Sequence, residues 1–184
     1  GIDETVRNLV CVGADPARIA ILDNFCWPSC DDPRNLGALV RAAEACYDGA
    51  LAYRTPFVSG KDSLNNQFTT DDGKVIAIPP TLLISGLCIV PDCTRARTMD
   101  AKQAGNLLLV VGRTSSALGG SHYAMRFGAA TRDASIPCVD LAAGPANATV
   151  VAGLIGRRLV QSAHDCSDGG LLVATTDKAA GRRA

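Results

Sequence analysis

The pattern between residues 18 and 66 restricts the fold most. Arg18-Ile19-Ala20-Ile21-Leu22 is an apolar run of strand length that delivers Asp23-Asn24 to its end. After a turn-forming stretch at 28–33, residues 35–53 carry Leu36, Leu39, Val40, Ala43, Cys46 and Tyr47 at helical spacing. A second short run, Pro56-Phe57-Val58, leads into Ser59-Gly60-Lys61-Asp62-Ser63-Leu64-Asn65-Asn66. Strand, helix and strand in that order belong to an α/β (α+β) architecture, whose ligand-binding groups gather at the C-terminal ends of strands.

The flanking segments extend this plan. Residues 3–12 place Val6, Leu9 and Val10 on one helical face, ending near Gly13. Asp71-Asp72-Gly73, between Phe68 and Val75-Ile76-Ala77-Ile78, predicts a hairpin. After Pro79-Pro80, residues 81–90 read as a long strand buried on both faces. Residues 91–104 are polar and turn-rich, which puts a lobe boundary near 97 and divides the chain into 1–97 and 98–184. A strand at 106–111 and a helix at 145–162 follow. Gly1-Ile2-Asp3-Glu4 enters a helix with no strand ahead of it, and Gly181-Arg182-Arg183-Ala184 stops soon after another helix begins. Both ends read as cuts from something longer.

Hydrophobic residues make up 47% and charged residues 20%, with 18 basic and 18 acidic side chains in balance. That is a globular composition rather than a disordered one. No basic stripe interleaved with aromatics speaks for nucleic acid, and no apolar run reaches the ~20 residues needed to cross a bilayer. Eight cysteines contain no C-x2-C pair, and Cys26-x3-Cys30 has no matching second pair. Zinc is therefore weakly supported, and reduced thiols in a cytoplasmic protein are expected.

The chemistry-bearing residues lie in four places. His164-Asp165-Cys166-Ser167-Asp168-Gly169-Gly170 opens the apolar run Leu171-Leu172-Val173-Ala174. Carboxylates there can grip a cation and the amides of a helix start can take a phosphate oxygen; a capped helix after a tight turn is the plainer account. Glu4 and Asn8 share one helix face and can offer two oxygens to magnesium, or simply face solvent. Asp23-Asn24 follows a strand. Gly60-Lys61-Asp62-Ser63 has the ingredients of a phosphate-handling loop without the Walker spacing. A serine–histidine–acid triad has no G-x-S-x-G elbow to support it.

Taken together, Asp23-Asn24-Phe25-Cys26-Trp27-Pro28, Val58-Ser59-Gly60-Lys61-Asp62-Ser63-Leu64-Asn65 and the His164–Leu171 segment closely resemble the phosphoribosylformylglycinamidine synthase family. The likeness is to the second of its two aminoimidazole-ribonucleotide-synthetase-like halves and spans nearly the whole chain. Selenophosphate synthetase and thiamine-phosphate kinase lack these signatures. The resemblance implies an incomplete N-terminal lobe of barrel-forming strands and a truncated C-terminal α/β lobe. It also implies ATP- and magnesium-dependent phosphorylation of the amide oxygen of formylglycinamide ribonucleotide, followed by displacement of phosphate by glutamine-derived ammonia.

On the same resemblance, Glu4, Asn8 and Asp165 fall on metal ligands, and Asp23, Gly60 and Ser167 on nucleotide contacts. Ser63 falls on a substrate contact, and no residue falls on a catalytic one. Lys61 stands where smaller family members have a metal-binding asparagine, and Thr175-Thr176-Asp177-Lys178-Ala179 departs from the family's usual helix. The partners implied are a first synthetase half and a glutaminase domain or subunit. Without them the chain is expected to lack synthase activity, and unpaired barrel strands are expected to promote self-association. A second reading makes this half a structural nucleotide-binding scaffold without turnover.

Overall fold

Ile2, Val6 and Val10 recur along one side of residues 2–11, and in the computed structural model that side is buried in helix α1 (Ile2–Cys11). The structure describes residues 1–128 and 135–180; the expectation about Gly181–Ala184 lies outside them. Strand β1 (Ile19–Cys26) is the centre of a three-stranded sheet. Its partners are β2 (Phe57–Ser63), parallel, and β5 (Thr81–Cys88), antiparallel. A parallel neighbour requires a crossover, supplied by helix α2 (Pro33–Tyr53), which Asp32 caps by accepting the Arg34 amide at 2.9 Å. The expected hairpin forms from β3 (Gln67–Thr69) and β4 (Val75–Ala77).

One core joins α1 to the sheet. Ile2, Val6 and Val10 meet Ile19 and Ile21 of β1, Tyr53 of α2 and Ala148 of helix α4 (Ala143–Gly156). A second cluster gathers Phe25, Trp27 and Cys46, and Trp27 donates its indole N–H to the Asn35 carbonyl at 2.9 Å. Helices α3 (His122–Phe127) and α5 (Gly170–Ala180) are the other α-helices among the described residues. The eight cysteines are free. No helix among the described residues is long and apolar enough to cross a membrane.

Several local expectations are corrected. β1 continues to Cys26, because β2 and β5 pair with it along its length, so Asp23 and Asn24 lie within a strand rather than after one. Gly60-Lys61-Asp62-Ser63 is likewise strand, in register with residues 23–26 of β1, and not a loop. β5 is an edge strand covered on one face only: Leu83 and Leu87 are 58% and 60% exposed, and its exposure alternates. Residues 106–111 form no strand, since no described strand pairs with them and their apolar side chains remain exposed. The expected 145–162 helix ends at Gly156, because Arg158 turns left-handed at φ 59°. The fold is mixed α/β with an open sheet, and no barrel closes among the described residues.

Candidate functional site

The glycine pair shapes the loop that opens α5. Gly169 and Gly170 stand at φ 77° and 64°, a region that side-chain-bearing residues avoid. A Cβ on Gly169 would also come within 2.2 Å of Val173 Cγ2. This bend turns the preceding residues back toward α1. Ser167 does not cap the helix; its hydroxyl donates to Asp165 Oδ2, while its carbonyl accepts the Gly170 amide at 3.0 Å.

Asp165 is the buried charge of the site, 8% exposed. His164 Nδ1 lies 3.2 Å from Asp165 Oδ1, and His164 Nε2 lies 3.8 Å from Asp177 Oδ2 of α5. From the other side, Arg7 of α1 places Nη1 3.8 Å from Asp165 Oδ2 and donates from that nitrogen to the Cys166 carbonyl at 2.7 Å. Arg7 Nε donates to Asp3 Oδ2 at 2.8 Å, and Tyr53 donates its phenol to Asp3 Oδ1. Burial pulls the Arg7 pKa down, but the hydrogen bond to Asp3 and the charges of Asp3, Asp165 and Glu4 more than offset it, leaving the guanidinium more basic than usual. Burial raises the Tyr53 hydroxyl, and the Asp3 carboxylate adds to the effect.

Glu4 and Asn8 are exposed on α1, one turn apart, and the Asn8 amide nitrogen donates to the Glu4 carbonyl at 3.2 Å. Glu4 is close enough to Arg7 for its charge to act there, as Asp165 does. Arg7 therefore links the α1 face bearing Glu4 to the loop bearing Asp165 and Ser167. Among the described residues no group of three or more His, Cys, Asp or Glu side chains converges as a metal cage.

The strand residues form two separate groups. Asp23 pairs with Gly60 across β1 and β2, on the face that carries the buried Ile19, Ile21 and Phe25. A Cβ on Gly60 would lie 2.3 Å from Asp23 Oδ1, so glycine is what admits this carboxylate against the neighbouring backbone. Ser63 pairs with Cys26, one residue out of phase, and so lies on the opposite, open face with Lys61, whose ammonium donates to its hydroxyl. Asp23 and Gly60 are thus brought together, and Ser63 is set apart from them by the sheet.

Arg7, Asp3 and Tyr53 were not among the residues singled out from sequence. The Asp3/Arg7 spacing of four on a helix is a visible signal, whereas the bonds to Cys166 and Tyr53 span 159 and 50 positions and leave none.

Cys11 stands one turn beyond Arg7. Burial, and then the Asp165 charge, push its thiol from the usual value near 9 to about 11. A folded-state pKa above the unfolded one gives stability that is whole below about pH 9 and lost as pH rises toward 11. Replacing Cys11 with alanine is expected to flatten that part of the melting-temperature profile. A profile that falls equally steeply in the variant would refute the assignment.

Residues 103–182 match the family described as AIR synthase related protein, C-terminal domain. The chain is 38% identical over 178 residues, 97% of its length, to phosphoribosylformylglycinamidine synthase subunit PurL of Caulobacter vibrioides, covering 23% of that protein. It is 38% identical over 182 residues to the same subunit of Azorhizobium caulinodans, with 98% of the chain and 24% of the relative covered. Against that of Deinococcus radiodurans it is 35% identical over 183 residues, with 97% and 24% covered. The chain therefore spans about a quarter of the length of the curated relatives it matches.

Proposed function

We propose that the chain is a segment of the phosphoribosylformylglycinamidine synthase family and supplies metal, nucleotide and substrate contacts to an ATP-dependent carbon–nitrogen ligase of purine biosynthesis. In that reaction the γ-phosphoryl group of ATP moves to the amide oxygen of formylglycinamide ribonucleotide. Ammonia released from glutamine then attacks the amide carbon; phosphate leaves with the oxygen, a proton is lost from nitrogen, and the amidine remains. Phosphoryl transfer of this kind depends on positioning and charge neutralisation more than on covalent help from the protein.

The observation that carries this proposal is the buried Asp165 drawn against α1 beside the helix face that bears Glu4 and Asn8. Two carboxylates and an amide are hard oxygen donors, and magnesium commonly takes only one or two carboxylates and keeps its remaining waters. The donor set fits that ion. When bound, Mg2+ supplies neutralisation of phosphate charge; the chain's own task is to hold Glu4, Asn8 and Asp165 in one geometry. Ser167, bonded to Asp165, stands next to that position for a phosphate oxygen. Asp23 with Gly60 is assigned to nucleotide, and Ser63 on the open sheet face to substrate.

The chain divides near residue 97 into parts of two lobes, works in the cytoplasm, and needs a first synthetase half and a glutaminase to turn over. The exposed Val58, Leu83 and Leu87 on the strands beside β1 are surfaces on which copies of the isolated chain would self-associate.

One observation favours a scaffold role instead: Arg7 already lies 3.8 Å from Asp165, so part of that charge is balanced without a metal. Glu4→Ala and Asp165→Ala in the full-length enzyme separate the two. Catalysis predicts a fall in turnover of at least about a hundredfold with normal melting, equivalent to about 2.7 kcal/mol or more of lost transition-state stabilisation. Loss of melting temperature and of co-purifying nucleotide, with turnover retained in the folded fraction, would establish the scaffold.

A further inference from the structure

A polar chain runs between α1 and the loop ahead of α5, and the assigned ligand roles leave it unused. Tyr53, at the end of α2, donates to Asp3; Asp3 accepts from Arg7 Nε; Arg7 Nη1 donates to the Cys166 carbonyl. Three segments distant in sequence meet here, next to the buried Asp165. The start of α4 closes the fourth side, where a Cβ on Gly144 would lie 2.0 Å from the Tyr53 hydroxyl oxygen and 3.0 Å from Asp3 Oδ1.

Most exposed ion pairs fix nothing, because two flexible side chains pair at high dielectric. Arg7 differs in two ways: its ion-pair partner Asp3 is only 19% exposed, and its partner in the loop is a backbone carbonyl, so the bond fixes main chain. The distances also separate holding from neutralising. Arg7 makes short bonds to Asp3 and to Cys166, 2.8 and 2.7 Å, but stays 3.8 Å from Asp165 Oδ2, beyond hydrogen-bond reach. The loop is pinned one residue away from the carboxylate, whose coordinating capacity is not spent on the guanidinium.

We propose that Arg7, itself held by Asp3 and Tyr53, is a positioning residue that fixes the His164–Gly170 loop so that Asp165 faces Glu4 and Asn8 around a divalent cation. This rests on the assignment of Asp165 as a ligand. Two bonds in diverging directions need the planar fork of a guanidinium; an ammonium at this place keeps the charge and loses one of them.

Mn2+ serves as the probe, with free ion followed by electron paramagnetic resonance in the presence of ATP. The 184-residue chain is compared with its Asp165→Asn, Arg7→Met, Arg7→Lys and Asp3→Ala variants at a temperature where circular dichroism shows each folded. The expected result is loss of tight binding in Asp165→Asn and a loss of about tenfold or more in Arg7→Met and Asp3→Ala, the usual scale for residues that orient a ligand. Arg7→Lys should recover part of it. Equal affinity in the parent and Asp165→Asn overturns the metal assignment, and the positioning role with it. Tight parent binding, weak Asp165→Asn binding and parent-like Arg7→Met overturn the positioning role alone. Should Arg7→Met not fold, Asp3→Ala decides: parent-like affinity overturns the proposal, and a tenfold loss supports it.

Discussion

Gly169→Ala is expected to release helix α5 locally, raising amide exchange across residues 171–179 by about 30- to 4000-fold. Two costs combine. A side-chain-bearing residue at φ 77° is strained by roughly 1–2 kcal/mol. The new Cβ also meets Val173 at 2.2 and 2.7 Å, and such overpacking costs roughly 1–3 kcal/mol. The total, about 2–5 kcal/mol, sets the exchange range through the factor of ten per 1.4 kcal/mol. Opening α5 relieves both costs without disturbing the sheet, since α5 is tied down by a few contacts: Ala174 buried, Lys178 on the Met99 carbonyl and the Ser162 hydroxyl, and Asp177 near His164. Gly170→Ala is the internal control. It has the same backbone strain at φ 64° but nothing within 4 Å of its Cβ, so its effect should be about the strain alone. Equal exchange in the two variants would show that Val173 does not confine Gly169.

What the sequence revealed, and what it hid, follows from the range of the forces involved. Helix α1 was legible because Val6, Leu9 and Val10 fall at helical spacing, and Ile2 adds to the buried side. The β3–β4 turn was legible because Asp71-Asp72-Gly73 carries local turn chemistry, with Gly73 at φ 82°. Strand extents were not. Asp23, Asn24 and residues 60–63 are polar enough to read as turns, and only pairing between β1 and β2 holds them extended. The apolar run at 106–111 failed in the opposite sense: composition favours a strand, but a strand exists only where another completes its hydrogen bonds. At the candidate site the sequence and its resemblance nominate Asp165, Ser167, Glu4 and Asn8, but the junction between them was not legible: the Arg7 bond to Cys166 depends on the fold bringing distant segments together.

That junction depends in turn on how α1 is seated, which makes Ile21→Ala the second large effect. Ile21 is 0% exposed at the centre of β1, in the cluster formed by Val6, Val10, Tyr53 and Ala148. Truncating a fully buried isoleucine loses its transfer free energy and leaves a cavity, together about 2–5 kcal/mol. For a chain of this size that corresponds to a fall of about 4–20 °C in melting temperature. The neighbours cannot readily close the gap, because β1 is paired on both sides and Gly86 of β5 holds α1 close, with Thr5 Cγ2 only 2.4 Å from where its Cβ would be. Val6→Ala enlarges the same hole from the helix side. The two truncations share a cavity, so their costs should depart from additivity by more than 0.5 kcal/mol, and Mn2+ affinity should weaken in the folded Ile21→Ala chain as α1 loosens. Strict additivity, with α1 protected from exchange as in the parent, would mean that the sheet does not set the seat of α1 and that the loop contacts do.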